Sequence, residues 1–228
     1  MEYKKYMMIG VLDSGIGGIK VLEDLIKSFG GKYLYVFDKS GLPYGKKSYE
    51  QICERVIRAC DVMIKSGVDV IVLACNTASC VALDVCRNYY NIPVYGLIPP
   101  IKNLCVSDKK ILMLTTPLTC RTIKSKYEKE YYSGAFVWAP QIDLAEFVEH
   151  NIADRCALDN YIEEHLTCYK TECDSVFLGC THYYYIKESI EKILKKPVID
   201  GRSDLVNEIK SDDVLRVNKY SETHFIYL

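Results

Sequence analysis

With 228 residues, 49% of them hydrophobic, the chain is long enough to bury a sizeable core as one large domain or two small ones. Its 29 basic and 30 acidic residues nearly cancel, leaving a formal charge of −1 with no basic stripe, so nucleic acid is not an expected partner. No apolar run approaches the roughly 20 residues that span a bilayer and the first residues hold no signal-peptide core, so a cytoplasmic protein with no membrane partner is expected. Eleven cysteines without a CxxC pair fit a reducing compartment. The four histidines (His150, His165, His182, His224) fall in no zinc spacing, so no metal site is expected.

Short apolar runs alternate with longer amphipathic segments, the pattern of an α/β protein with parallel strands. In chain order the spacing predicts a strand over Met7–Leu12, a helix over Gly17–Phe29, a strand over Tyr33–Phe37 and a helix over Ser48–Ser66. A strand over Val70–Ala74, a helix over Ala78–Tyr89 and a strand over Val94–Leu97 follow. Pro99-Pro100 then interrupts the pattern and marks the crossover between two halves. Beyond it the pattern gives strands over Ile111–Thr115, Ala135–Trp138, Val176–Gly179 and Val198–Ile199. The intervening helices are Thr119–Tyr131, Leu158–Tyr169, Tyr183–Leu194 and Ser203–Ile209, and His224–Tyr227 is strand-like. The clearest helix is Ser48–Ser66, with Ile52, Val56, Ala59, Met63 and Ile64 on one face and Gly67 placed to end it.

Two segments read almost as copies. Asp69-Val-Ile-Val-Leu-Ala-Cys75-Asn76-Thr77 and Asp174-Ser-Val-Phe-Leu-Gly-Cys180-Thr181-His182 each run from an acidic residue through a buried strand to a cysteine and then a helical stretch. The copies lie close to half a chain apart. Two similar α/β halves are therefore expected, each placing a thiol at the carboxyl end of a strand, where open α/β sheets bind ligands. Most cysteines in a chain are inert packing, and Cys53, Cys60 and Cys86 fit that description within helical periodicity. Cys75 and Cys180 differ by context: a strand end beside helix N-terminal amides is where a thiolate is stabilised. Both are expected to be reached by solvent. Two thiols facing one substrate from opposite sides could move a proton across a stereocentre.

Near the N-terminus, Gly10-Val-Leu-Asp13-Ser14-Gly15-Ile-Gly17-Gly18 is a strand entering a glycine-rich turn and a helix. Such turns bind phosphates but also close many turns with no ligand. A carboxylate at Asp13 suits an amine or a proton relay better than a phosphate, or it caps the helix. His182, two residues after Cys180, has the acid–base capacity of a partner for it. Glu149 reads either as a further acid or, with Glu146 nearby, as part of a surface helix. His150, His165 and His224 read as exposed and without a role.

These stretches resemble the glutamate racemases, cofactor-independent members of the aspartate/glutamate racemase superfamily. The resemblance is carried by GVLDSGIGG at 10–18, LPYGKKS at 42–48, VLACNTAS at 72–79, IPVYGLI at 92–98, AEFVE at 145–149 and LGCTHY at 178–183, with Thr116-x-x-Thr119 similar to a Gly-Thr-x-x-Thr loop. It implies racemisation of glutamate by two thiols without a cofactor, Cys75 serving the D-enantiomer and Cys180 the L-enantiomer. By the same resemblance Asp13 would assist Cys75, His182 would assist Cys180, and Glu149 would be a further acid. Ser14, Pro43, Tyr44, Gly45, Asn76, Thr77, Thr119 and Thr181 would hold the substrate. The product would be D-glutamate for peptidoglycan, and the assembly a homodimer.

The fold so implied is α/β in two pseudo-symmetric domains, each a mainly parallel sheet flanked by helices, with the active site in the cleft between them. One domain would comprise residues 1–98 and 207–228, the other 99–206. Three departures from the racemase pattern stand out: Ile98-Pro99-Pro100 where Glu-Pro-Gly is usual, Tyr184 where proline is usual, and the chain's end at Leu228. They leave two rivals open, a racemase of aspartate or of broader range, and a non-catalytic amino-acid-binding protein. Retention of both thiols disfavours the second. The absence of CxxC disfavours a thiol redox protein.

Overall fold

A computed structural model describes residues 7–105, 109–131, 135–215, 217–218 and 220–228. The first half runs β1 (Met8–Asp13), α1 (Gly18–Phe29), β2 (Gly31–Phe37), α2 (Tyr49–Lys65), β3 (Val70–Leu73), α3 (Asn76–Tyr89) and β4 (Val94–Gly96). A short helix α4 (Ile101–Leu104) leads into β5 (Ile111–Thr115), α5 (Pro117–Tyr131), β6 (Phe136–Pro140), α6 (Leu144–Asn151) and α7 (Arg155–Leu166). Then come β7 (Ser175–Gly179), α8 (Lys187–Leu194), β8 (Val198–Asp200), α9 (Arg202–Ser211) and β9 (Ser221–Tyr227).

The strands form two sheets in which every pair is parallel. One has the order β4-β3-β1-β2-β9 and the other β6-β5-β7-β8. Apart from the added β9, the two orders are the same path: the first strand of each half sits centrally, the second on one side, the third and fourth on the other. The chain thus reverses direction across each sheet between its first and third strands. That switch point opens a crevice at the carboxyl ends of β1 and β3, and of β5 and β7.

Strands covered by helices on both faces read as unbroken apolar runs. β3 and β5 are buried at every position. The core is continuous across the halves, with Val11 and Tyr35 in one apolar cluster with Leu178 and Tyr183. After β8 the chain returns through α9, which packs against α1 and β4. β9 then adds to the edge of β2, Phe225 lying 5.6 Å from Tyr35 and Tyr227 5.6 Å from Phe37 between ring centroids.

Local chemistry sets the element ends. Ser48 and Gln51 form a reciprocal capping box at the start of α2. Gly67, just beyond that helix, has a φ of 81°, a conformation natural to glycine. Pro117 opens α5, where its missing N–H costs nothing. Asp154 caps α7 by accepting from the Ala157 amide.

Three expectations need correction. The helix expected from Tyr183 begins instead as a 3-10 turn over Thr181–Ile186, and α8 starts at Lys187. The acidic segment 145–149, given no element from sequence, lies in α6. Ile64, placed on the buried face of α2, is 38% exposed; one step of about 100° past Met63 carries it off the stripe, and Cys60 occupies that stripe instead.

The corrected face of α2 can be checked by thermal or denaturant unfolding. Ile52→Ala, at a fully buried position, is expected to lose about 2–5 kcal/mol of stability. Ile64→Ser is expected to stay within about 0.5 kcal/mol of the parent.

Candidate active site

The candidate residues gather at the carboxyl ends of the strands. Asp13 is the last residue of β1. The pairing of β3 with β1 runs on past Leu73 through the Ala74 amide, which donates to the Leu12 carbonyl at 2.8 Å, so Cys75 enters beside Asp13 as α3 begins. Cys180 follows β7 in the equivalent place. Cys75 and Cys180 are each only 6% exposed. The expectation that solvent reaches both is therefore corrected.

One seam joins the halves at this point. The Cys180 Sγ lies 3.8 Å from His182 Nδ1, and His182 Nε2 lies 2.7 Å from Glu149 Oε2. The same carboxylate oxygen accepts from the Ile16 amide at 3.1 Å, and the Tyr185 hydroxyl donates to the Ile16 carbonyl at 3.0 Å. A Cβ on Gly15 would collide with the His182 ring and Glu149, and one on Gly17 with Thr181. The glycine-rich turn therefore admits the second half's side chains at contact distance. Its amides serve two carboxylates rather than a phosphate: Gly15 donates to Asp13 at 2.8 Å and Ile16 to Glu149.

Asp13 is fully buried and caps no helix; Gly17 is the N-cap of α1. Its other oxygen accepts from the Thr181 hydroxyl at 3.0 Å, across the cleft. The hydroxyl within reach of Cys75 belongs to Ser14, at 3.9 Å. A second cross-cleft knot joins Thr77 to Thr116 and Thr119, each at 3.1 Å. Asn76 donates to the Leu97 carbonyl at 2.9 Å, while its buried Oδ1 has no partner among the described residues and is available to an ammonium group. Tyr44 commits its hydroxyl to Asp38 at 2.6 Å, and Arg55 holds the same carboxylate at 3.0 Å. The Pro43-Tyr44-Gly45 turn thus offers backbone, and Gly45 lies close against Thr116.

The model of one protein family, described as Asp/Glu/Hydantoin racemase, matches residues 14–209. The chain belongs to that family. A protein named glutamate racemase from Clostridium botulinum (strain Alaska E43) is 36% identical over 216 residues, covering 91% of this chain and 84% of its own. One of the same name from Clostridium novyi is 37% identical over 86% of this chain and 79% of its own. Among solved structures, a glutamate racemase isoform from Bacillus anthracis superposes with a TM-score of 0.86 at 27% identity, covering 98% of this chain and 89% of that one.

In this racemase the two thiols stand in different electrostatic surroundings. Burial, and then the charge of Asp13, push the Cys75 thiol well above its usual range, against the Ala78 amide and Ser14 hydroxyl. Burial alone would favour a neutral His182; its hydrogen bonds with Cys180 and Glu149 outweigh that and lift the ring to about 10. Burial likewise opposes Glu149, but His182 and the Ile16 amide hold it below the ordinary carboxylate range. A cationic ring beside a sulfur stabilises negative charge there. The site is thus arranged with a proton on Cys75 and a cation against Cys180.

Several members of the site carry little signal in the sequence. Thr116 is marked there only by the Thr116-x-x-Thr119 spacing. Tyr35, whose hydroxyl donates to the Gly15 carbonyl at 3.1 Å, and Tyr185 carried no local signal. His150, His165 and His224 are exposed, as expected.

Burial lifts the Asp13 carboxyl from 3.8 to about 6, against the pull of His182, the Gly15 amide and Thr181. Between those pH values the folded state binds the proton more tightly than the unfolded chain. Asp13 therefore favours folding below about pH 4, and that advantage is lost as pH rises through about 6, a swing of up to about 3 kcal/mol. Asp13→Asn, which cannot ionise, is expected to unfold at a higher temperature than the parent at pH 7.5, with the difference shrinking by pH 4. Calorimetry at the two pH values measures this, and a variant less stable than the parent at pH 7.5 would contradict it.

Proposed function

We propose that this protein is a cofactor-independent glutamate racemase that interconverts L- and D-glutamate and supplies D-glutamate for peptidoglycan. The observation that carries the reading is the pair of thiols placed after equivalent strands, β3 and β7, on the two sides of one buried cleft. A reaction whose equilibrium constant is near one calls for an acid and a base of the same kind on opposite faces.

From L-glutamate, Cys180 takes the α-proton as thiolate while the His182 imidazolium balances its charge. Cys75 as thiol delivers a proton to the opposite face, leaving a thiolate beside Ser14 and the Ala78 amide. The D-to-L direction reverses these roles. General acid–base help of this kind is worth about 100- to 10,000-fold. The rest comes from fixed donors that stabilise the carbanion-like transition state in a water-poor cleft. The hydroxyls of Thr77 and Thr119, the Thr181 amide and the first amides of α3 are the donors for the substrate's carboxylates, with Thr116 bracing Thr119 and the Thr181 hydroxyl kept on Asp13. Asn76 Oδ1 and Asp13 are acceptors for its ammonium. Pro43, Tyr44 and Gly45 contribute their backbone and Ser14 its hydroxyl.

The expected domains, residues 1–98 with 207–228 against 99–206, are supported by sheet membership; the packing of α9 favours a return nearer Arg202. None of the described helices is long and apolar enough to cross a membrane. We take the location to be cytoplasmic, as the proposed supply of D-glutamate requires. We take the assembly to be a homodimer.

Incubation with L-glutamate in deuterium oxide is expected to yield D-glutamate bearing deuterium at the α-carbon, because the delivering thiol exchanges with solvent. Turnover of aspartate alone would overturn the substrate, and exchange with no amino acid would overturn the activity. Cys75→Ala and Cys180→Ala are each expected to lower the rate by about 100-fold or more, and Cys53→Ala to keep most of it.

The pairing of His182 with Cys180 has its own signature. His182→Asn is expected to change the primary isotope effect for α-deuterated L-glutamate more than that for the D-enantiomer. Equal changes for both would assign His182 to substrate holding or to the fold instead.

A further inference from the structure

With both thiols 6% exposed, glutamate cannot reach them unless the halves part. Several buried contacts hold the halves together: the seam at Gly15–Ile16, the Thr77–Thr116–Thr119 knot and the Asp13–Thr181 bond. The Arg202–Asp24 pair at 3.0 Å, with Arg202 also holding Asp200, ties α9 and the end of β8 to α1. Exposed ion pairs add to these, among them Lys126–Asp84 at 2.9 Å between α5 and α3. Lys46, the residue after Gly45, extends its ammonium to Asp143 Oδ1 at 2.8 Å and to Glu146 Oε2 at 2.7 Å.

The position of this cation gives it leverage on both sides. On its own side it ends the turn Tyr44–Lys46, whose Gly45 rests on Thr116. On the far side it holds the N-terminal turn of α6, the helix whose next turn presents Glu149 to His182 and Ile16. One ammonium therefore links the Tyr44-Gly45 turn to the helix that orients His182. Its side chain is 38% exposed and those of Asp143 and Glu146 are 67% and 40% exposed, so water and salt compete for the pairs. An exposed pair shifts an equilibrium by up to about five-fold, enough to favour closure and weak enough to break in every turnover.

We propose that Lys46 is a positioning residue that closes the active site: its pairs with Asp143 and Glu146 clamp the Tyr44–Gly45 turn and α6 together, and break whenever glutamate enters or leaves. The glutamate part rests on the function proposed above; the closure does not. The test therefore has one readout that needs no turnover. Iodoacetamide labelling of Cys75 and Cys180, followed by peptide mass spectrometry, reports opening, with the exposed Cys156 and Cys168 as internal controls.

In the parent, labelling of Cys75 and Cys180 is expected to accelerate about three-fold or more when NaCl rises from about 20 mM to about 500 mM. In Lys46→Met it should be fast at both salt concentrations, with Cys156 and Cys168 unchanged. Lys46→Arg should behave as the parent. Lys46→Glu should label faster still, and adding Glu146→Lys to it should restore slow labelling, which a folding defect would not. With L-glutamate, Lys46→Met should raise KM about three- to ten-fold while kcat changes less than about two-fold. Parent-like labelling and parent-like salt dependence in Lys46→Met would overturn the proposal. Absence of glutamate racemisation in the parent would overturn the function instead, and labelling alone would decide the closure.

Discussion

The contact of Glu149 with both His182 and the Ile16 amide is the constraint on which the rest of this site depends. One carboxylate oxygen of the second half receives a donor from its own half at 2.7 Å and a backbone amide of the other half at 3.1 Å. That arrangement needs backbone to approach an imidazole without a side chain intervening, which fixes glycine at Gly15. It also fixes the tilt of the His182 ring, and with it the nitrogen that meets Cys180. The glycine-rich turn after β1 is thus read as the floor of a seam between two halves.

Around that seam the two halves differ although their strand paths match. Cys75 has a serine hydroxyl and helix amides as neighbours; Cys180 has a histidine held by a carboxylate. A reaction that runs both ways does not need identical groups on the two faces. In the proposed reaction each sulfur is thiolate in one direction and thiol in the other, and hydrogen-bond donors at one and a cation at the other would serve this by different physics, dipoles in one case and charge in the other. Asp13 stands between them, bonded to Thr181 beside Cys180 and acting on Cys75 through its charge.

The chain's many tyrosines acquire a partial account here. Tyr35 and Tyr185 hold the carbonyls of Gly15 and Ile16, and Tyr44 anchors its own turn to Asp38. Each fixes a loop with a rigid ring and one hydroxyl, at little cost in side-chain entropy. Loops that carry a site on an α/β scaffold need this bracing, because the scaffold fixes only the strand ends. The Lys46 clamp is of another kind, exposed and salt-sensitive at the surface of the cleft. Rigid bracing near the chemistry and a weak closure at the surface suit a site that must be tight for proton transfer and open for exchange.

The sequence by itself determined the parallel α/β class, the near-duplicate strand–cysteine segments and their position at strand ends. Strands such as β3 and β5 are buried on both faces and so appear as unbroken apolar runs, and helices such as α2 carry a stripe and a capping box. These are one-dimensional signals. The edge strand β9 showed only in part, as His224–Tyr227, because its outward residues are exposed and break the run. Which residues meet was decided only by the tertiary structure. Asp13 meets Thr181 across a separation of 168 residues, and Ile16 meets Glu149 across 133. No periodicity records such a meeting. Glu146 and Glu149 look alike in the chain; one faces a lysine at the surface and the other a buried histidine, because one turn of α6 separates the rim of the cleft from its interior.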